Sequence, residues 1–138
     1  MTLQNIASSA IQVEGKGELY VTGELTMHTV GNRGITVNAG GILDASAAAK
    51  VTIIDAAGIG LETAGNVSIR NLTVDTTLSN AVHAHNIKVV AGNLALTGET
   101  KLGQSNSNNF RVEAGASAEL SGIVAIGGTD SNNAMVVN

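Results

Sequence analysis

Apolar and polar residues alternate along this chain in short segments that recur at a nearly fixed spacing. The unit is an apolar residue, any residue, a second apolar residue, then a glycine and a further apolar residue, as in Ile35-Thr36-Val37 with Gly40 and Leu43. Its copies begin at Ile11, Ile35, Ile59, Ile87, Phe110 and Met135. The steps between copies are therefore 24, 24, 28, 23 and 25 residues, and such a period indicates a repeat architecture.

Two further apolar pairs follow within a copy, each with one intervening residue that is usually polar or small. The first group is Leu19/Val21, Val67/Ile69 and Leu94/Leu96, and the second is Leu25/Met27, Val51/Ile53, Leu72/Val74 and Val124/Ile126. This alternation predicts strands with one face toward a core and the other toward solvent. Stacked copies would pair each strand in parallel with its counterpart, so we predict a single-domain, all-β parallel β-solenoid (β-helix) of about five coils with roughly 24 residues per coil.

Other folds explain the pattern less well. A sandwich or barrel of antiparallel strands also alternates, but it gives no reason for the same glycine to follow the same apolar pair at near-constant spacing. Helices are disfavoured by 17 glycines and many β-branched residues, because helical spacing of apolar residues is not sustained.

The repeat divides the chain into two parts. Residues 1–10 contain Leu3 and Ile6 but no repeat motif, so we predict an N-terminal cap or arm there, which covers strand edges or docks on a neighbour. Residues 11–138 form the predicted solenoid domain. The longer step between the third and fourth copies predicts an insertion within residues 79–86, at a turn.

Composition narrows the function classes. Tyr20 and Phe110 are the only aromatic residues, so the core must be aliphatic. The net charge of −4 is scattered, which argues against a nucleic-acid partner and against a basic membrane-binding face. There is no cysteine, and therefore no disulfide or thiolate metal site. The first residues lack the features of a signal peptide, so we expect no standard export, unless the chain is a piece of a longer secreted protein.

Polar loops and the chain ends are the predicted partner contacts. Residues 79–86, 104–109 and 129–133 form polar turns, and the triplet Ser-Asn-Asn before Phe110 recurs before Ala134, which predicts that both loops lie at the same corner of the coil. The final segment begins a coil that it does not finish, so we expect it to pair with another subunit or to seal the end. The predicted contact residues are Leu3, Ile6, Asn86, Asn108, Asn109, Asn132, Asn133, Met135 and Val137.

His83 and His85 form the candidate metal site. Two residues apart on an extended segment, their imidazoles face the same way and could bind one metal ion, and three copies would offer six nitrogens. The pair resembles the His-x-His iron site at the tip of phage membrane-piercing spikes, although here it lies mid-chain without a nearby carboxylate. The alternative is two solvated histidines in a turn, since the motif lacks a full ligand set and supporting groups. We expect no cofactor.

Three other patterns match known functional motifs only in part, namely those of glycosidases, ice-binding proteins and calcium sites. Glu14, Glu62 and Glu113 follow the first strand in alternate copies, and paired carboxylates hydrolyse glycosides when they lie ~5 to 9.5 Å apart. The aromatic residues typical of sugar sites are missing, so a solvent-facing charged column is the preferred interpretation. Several threonines near strands resemble the ladder of ice-binding solenoids. Their spacing predicts no flat two-column array, and threonine is a good strand former on an exposed face. These threonines are Thr22, Thr52, Thr73 and Thr97, with Thr26, Thr36 and Thr100. A calcium-type Gly-Gly-Thr-Asp motif occurs once, whereas such sites need successive copies.

The run from Gly34 through Gly122 carries a wider resemblance. Segments such as GITVNAGGILDAS, GNVSIRNLTV and NNFRVEAGASAELSG resemble coils of right-handed β-helices in bacterial autotransporter passengers and in phage tailspikes, fibres and head-decoration proteins. Autotransporter passengers are exported and longer, whereas phage virion proteins need no signal and commonly trimerise. The resemblance implies a non-enzymatic structural protein of a virion, made in the host cytoplasm, forming a homotrimer and contacting partners such as a major capsid protein. The alternatives are a fragment of an adhesin at the bacterial cell surface and a polysaccharide-active tailspike.

Overall fold

The computed structural model describes residues 1–76, 84–128 and 134–138. These residues contain strands and turns but no helix. The strands are short because each crosses only one or two sides of a coil. They are β1 (Thr2–Ile6), β2 (Ile11–Val13), β3 (Glu18–Tyr20), β4 (Glu24–Val30), β5 (Ile35–Val37), β6 (Ile42–Ala45), β7 (Lys50–Ala56), β8 (Leu61–Thr63), β9 (Asn66–Asp75), β10 (Ile87–Val89), β11 (Asn93–Leu102), β12 (Phe110–Val112), β13 (Ser117–Leu120), β14 (Ile123–Ile126) and β15 (Met135–Val137).

The strands stack into three faces, and every pair is parallel. The first face contains β2, β5, β8, β10, β12 and β15. The second contains β3, β6, β13 and the first halves of β9 and β11, and the third contains β1, β4, β7, β14 and the second halves of β9 and β11. The predicted parallel β-solenoid of about five turns, with a spacing of about 24 residues, is confirmed.

The core is a set of aliphatic ladders inside the three faces. One ladder on the third face runs from Leu3 through Met27, Ile53, Val74 and Leu102 to Ile126, with neighbours in hydrogen-bonded register. The middle members are fully buried. Burying one such side chain contributes about 1.5 to 3 kcal/mol relative to exposure, so stacking the coils supplies the apolar burial that a single coil cannot provide.

The corner between the second and third faces is a one-residue bend in three successive coils. Asn71, Gly98 and Gly122 occupy it with positive φ angles of 57°, 71° and 94°. Because the bend is so short, β9 and β11 continue across it. The Asn71 side chain accepts a hydrogen bond from the Glu99 backbone N–H at 3.0 Å and donates one to the Ala49 carbonyl at 3.0 Å. The corner is therefore held by contacts between adjacent coils.

The register of the third coil differs from the prediction by two residues. Leu61, not Ile59, pairs with Ile35 in the coil before and with Ile87 in the coil after. Both steps are therefore 26 residues. The predicted insertion nevertheless remains at its corner, because the chain advances 13 positions from Val74 to Ile87 but only 8 from the equivalent Ile53 to Leu61. Gly60 holds the position just before the strand, where its carbonyl accepts the Ile35 N–H at 2.9 Å.

The segment predicted as a cap or arm contributes one strand to the stack. Residues 2–6 form β1, which pairs in parallel with β4, and Leu3 and Ile6 lie opposite Met27 and Val30. Both side chains are half-buried and pack against the core. The N-terminal ammonium donates a hydrogen bond to the Glu24 carbonyl at 2.6 Å. This end of the solenoid thus begins on the third face.

Candidate functional site

Two of the predicted contact residues, Asn86 and Asn109, form a hydrogen-bonded pair inside the solenoid. Both are 0% exposed. Asn86 accepts the Thr76 backbone N–H at 2.9 Å, and its amide group donates to the Asn109 side-chain oxygen at 2.7 Å. Asn109 donates to the carbonyls of Gly103 at 2.6 Å and Gly127 at 3.0 Å. These amides therefore satisfy buried backbone groups at the corner between the third and first faces, and the prediction that they contact a partner stays a prediction.

His85 and Asn108 lie one position earlier at the same corner and are also buried. His85 is 6% exposed, and its Nδ1 lies 2.8 Å from the Asn108 carbonyl oxygen. Asn108 is 8% exposed. His83, the other half of the candidate metal pair, lies outside the described residues, as do Asn132 and Asn133. Among the described residues, no three His, Asp or Glu side chains are grouped to hold a metal ion. The His85 ring is thus buried, whereas the alternative interpretation placed it in a solvated turn.

The second Ser-Asn-Asn triplet, at residues 131–133, lies outside the described residues, but the register of the strand after it is known. Met135 pairs with Phe110, so Ala134 occupies the position that Asn109 holds one coil earlier. The Phe110 backbone N–H accordingly donates to the Ala134 carbonyl at 2.9 Å. The apolar strand therefore aligns Ala134, and not an asparagine, with Asn109.

The three glutamates do not share one column. Glu62 lies within β8, opposite Thr36 and Lys88, whereas Glu14 and Glu113 follow the ends of their strands. The cause is the two-residue shift of the third coil. Glu14 and Glu113 are four coils apart, which corresponds to roughly 19 Å at the spacing of strands in a sheet. These two carboxylates are therefore much farther apart than the acid pair of a glycosidase.

Each glutamate makes local polar contacts. Glu14 accepts hydrogen bonds from Gln12 at 2.6 Å and from Asn38 at 2.7 Å. Glu113 contacts the Arg111 guanidinium at 2.8 Å and accepts the Asn138 amide at 3.2 Å. The hydrogen bond from Arg111 lowers the pKa of Glu113 below its ordinary value, with a smaller opposing effect from burial. The carboxylates of Glu14 and Glu113 are thus held by polar neighbours on the surface of the stack.

The structure aligns a threonine column that the sequence grouping missed. Thr2, Thr26, Thr52 and Thr73 are successive outward positions on the third face. Lys101 and Ala125 continue the column, so the threonines end at the fourth position. The parallel outward column two residues later reads Gln4, His28, Ile54 and Asp75. The described part of this face therefore has one threonine column beside a mixed one, in keeping with the absence of a two-column array.

The C-terminal end of the solenoid exposes side chains that face the interior in every earlier coil. Val137 is opposite buried Val112, and Val124 is opposite buried Thr100, yet Val137 is 69% exposed and Val124 is 39% exposed. Met135, opposite Phe110, is 43% exposed. No strand among the described residues covers β13, β14 or β15 on this side. This end combines open strand edges with uncovered core, and we call it the C-terminal end face.

The N-terminal end is the corresponding surface at the other side of the stack. Within the described part of the chain, β1, β2 and β3 each pair with a single strand. Leu3, Ile6, Ile11 and Leu19 are half-buried there, and Tyr20 is exposed with its hydroxyl donating to Glu18 at 2.9 Å. We call the edge formed by β1, β2 and β3 the N-terminal end face. Unpaired strand edges are ready templates for another strand, so the two end faces are the candidate functional site.

Most of the exposed large apolar side chains of the described residues belong to the first and last coils. They are Met1, Tyr20, Ile123, Val124, Met135 and Val137, with Val90 at a lateral corner. The prediction that Leu3, Ile6, Met135 and Val137 contact a partner stays a prediction, and the four lie at the end faces. No helix within the described residues is long and apolar enough to cross a membrane.

No protein-family model, curated protein or solved structure matches this chain.

Proposed function

We propose that this chain is a non-enzymatic structural protein of a phage virion, a capsid-decoration or fibre component. In this proposal it is made in the host cytoplasm, acts as a homotrimer and contacts other virion proteins such as a major capsid protein. The observation that carries the proposal is the distribution of apolar surface, which is concentrated at the two ends of a stack with mostly polar sides. Concentrated apolar patches are typical of assembly surfaces.

The mechanism proposed is mechanical. Parallel ladders connect every coil to the next on all three sides, and buried amides such as Asn86 and Asn109 tie the corner carbonyls together. Bending such a stack would break many of these bonds at once, so the chain acts as a stiff spacer. The resemblance of its coils to those of phage fibres and decoration proteins supports a virion as the assembly. The wide separation of Glu14 and Glu113 supports a non-enzymatic role.

The location of the protein in particles tests the proposal. Purified virions of the source phage, banded by density and probed with an antibody against this chain, should contain it at a fixed ratio to the major capsid protein. Genes for capsid and tail proteins should flank its gene. A chain that is absent from intact particles, or that lies among secretion genes, would contradict the virion assignment.

The trimer requires its own measurement. Sedimentation equilibrium of the purified chain should give three times the monomer mass at low concentration, because lateral trimers of solenoids rely on contacts away from the ends. A strict monomer would contradict the trimer and leave the solenoid and its stiffness unaffected.

A second candidate function is that of an adhesin segment at the bacterial cell surface. The C-terminal end face favours it, because an interior coil of a longer solenoid presents such open edges and uncovered side chains when cut from its neighbours. A parent reading frame with a signal peptide and further repeats would establish this alternative. For the third alternative, a polysaccharide-active tailspike, release of reducing sugar from purified capsule is the discriminating assay.

A further inference from the structure

We infer that the C-terminal end face of one copy binds the N-terminal end face of a second copy, so that the solenoids stack head to tail. The inference rests on the proposed structural role and names a partner for the two end faces. Strand direction, side-chain register and the polar rim support it, and each is seen in the contacts between coils within one chain.

Parallel continuation of the ladders requires unlike ends to meet. All pairs in the stack are parallel, so a second copy continues the pattern only by placing its β2 on β15 and its β1 on β14. The lengths agree, since β2 and β15 have three residues each, while β1 has five and β14 has four. Two C-terminal ends facing each other would instead have to pair their strands in the opposite direction.

The side chains that would meet are apolar on both ends. Continuing the ladders places Leu3 of the second copy over Ile126, because both belong to the column that contains Met27 and Leu102. In the same way Val13 of the second copy lies over Val137, and Ile11 lies over Met135. Exposed Met135 and Val137 would therefore be covered by half-buried Ile11 and buried Val13, and half-buried Ile126 by half-buried Leu3.

The polar rim also continues across the proposed junction. Within the chain, Asn38 donates to Glu14 of the preceding coil at 2.7 Å. Asn138 makes the same contact with Glu113 at 3.2 Å, and these four residues occupy one column. A second copy would bring its Glu14 beside Asn138, whose amide group has two hydrogens to donate. The contact between glutamate and asparagine that occurs at both ends of this column is thereby repeated at the junction.

The second face limits the strength of the junction. Among the described residues, the first and third faces contain six strands each, but the second contains five. When the first and third faces continue without interruption, one strand is missing between β13 and the second copy's β3. These two strands then lie roughly 9.6 Å apart, which is twice the spacing of paired strands. Two of three faces then pair, so we expect reversible association that increases with concentration. Because the contact joins unlike ends, it produces open chains of molecules instead of closed dimers.

Lysine substitutions that block one end at a time test the inference. Val137→Lys places a charge on the C-terminal end face, and Leu3→Lys places one on the N-terminal end face. Thr97→Lys, on an exposed lateral position, adds the same charge away from both ends. Circular dichroism and thermal unfolding verify that each variant folds. If Leu3→Lys does not fold, Ile11→Lys replaces it.

Sedimentation velocity over a range of concentrations provides the readout. The wild type and Thr97→Lys should gain mass as concentration rises, in multiples of the unit seen at the lowest concentration. Each end-blocked variant alone should remain at that unit, with association weakened at least ~10-fold. An equimolar mixture of the two end-blocked variants should form pairs of units and nothing larger, because one open C-terminal end face meets one open N-terminal end face.

Three results would overturn the inference. A wild type that stays at its smallest unit at every concentration shows that the ends do not bind each other. Normal association of Leu3→Lys together with loss in Val137→Lys shows pairing of two C-terminal ends. Association that survives both end variants shows a lateral contact. The smallest unit, monomer or trimer, and the presence of the chain in virions are measured separately, so failure of stacking is distinguishable from failure of the proposed function.

Discussion

At the scale of single residues, the burial of two asparagine side chains was the hardest feature to predict from the sequence. Asn86 and Asn109 lie in runs of polar residues, which usually indicate exposed turns, yet both are fully buried. The corner carbonyls of Gly103 and Gly127 need donors that the strand ladders do not supply, and a side-chain amide provides them. The available signal was position: each asparagine directly precedes the apolar strand of its coil. Composition alone could not show it.

Substituting Asn109 by alanine should therefore destabilise the fold. The change leaves the Gly127 carbonyl and one Asn86 N–H without their partner and removes one of the two amide donors to the Gly103 carbonyl, and each buried unsatisfied group costs about 1 to 3 kcal/mol. We expect a loss of roughly 2 to 4 kcal/mol in the free energy of unfolding, measured by urea denaturation. Asn93→Ala, in the exposed column of the second face, is the matched control and should change it by less than about 0.5 kcal/mol. Equal effects would contradict the internal role.

Glu113 gives the fold a dependence on pH. Its pKa is lowered from 4.5, chiefly by the hydrogen bond from Arg111, so its contribution to stability is complete above the ordinary pKa and is lost as pH falls through the lower value of the folded state. The side chain is 26% exposed, which limits the effect to less than about 1 kcal/mol. Glu113→Gln should thus be less stable than the wild type at pH 7 and equally stable at strongly acidic pH.

Urea denaturation at several pH values measures this difference. In an Arg111→Gln background, the same glutamate substitution should have a smaller effect, because the main cause of the pKa shift is gone. A difference between Glu113→Gln and wild type that persists unchanged at low pH would show that packing, and not the charge, is responsible.

Strands were predicted well from the sequence because alternation depends only on which face is buried. The pairs Leu25/Met27 and Val51/Ile53 fall within β4 and β7 and face the core as expected. The exception is the third copy, where Ile59-Gly60-Leu61 imitates the start of a strand two residues early. Glycine has no side chain whose polarity would indicate whether its position faces the core or the solvent. At Gly60 an added Cβ would lie 2.2 Å from the Val74 side chain, so only the folded packing identifies it as inward-facing.

The corner that joins the halves of β11 should be sensitive to alanine in a graded way. Gly98 has a φ of +71°, and a Cβ there would lie 2.4 Å from the Asn71 side-chain oxygen. Gly115 has a φ of +83° but open space, and Gly23 has open space without a positive φ. We expect Gly23→Ala to be neutral or slightly stabilising, Gly115→Ala to cost about 1 to 2 kcal/mol, and Gly98→Ala to cost more.

Thermal and urea unfolding of the three variants establish their order. The comparison separates backbone strain, which Gly98 and Gly115 share, from the close approach of the neighbouring coil, which only Gly98 has. If Gly98→Ala and Gly115→Ala were equally destabilised, the Asn71 side chain would be yielding to the new methyl group, and the corner would be looser than its hydrogen bonds indicate.

The candidate site was only partly predictable at the scale of the whole molecule. Met135 and Val137 were placed at an unfinished coil because the repeat pattern starts there and stops, and both lie on the C-terminal end face. The matching of that face to β1 and β2 was not predictable, since residues 1–10 show no repeat motif and their pairing with β4 depends on contacts across the stack. The repeat period identifies which residues of different coils are equivalent, but it does not show which strands fit against each other at the two end faces.

Stability should decrease from the middle of the stack toward its ends, because each coil is held mainly by its immediate neighbours. Among the strands that the structure describes, β8 and β10 have a strand on both sides, whereas β15 has one neighbour and exposed side chains. In native-state hydrogen exchange of dilute protein, amides of β8 and β10 should be protected by close to the full free energy of unfolding, and those of β14 and β15 by clearly less. Equal protection throughout would mean that the solenoid opens only as one cooperative unit. In that case the interfaces between coils, and not the coils themselves, would carry nearly all of the stability.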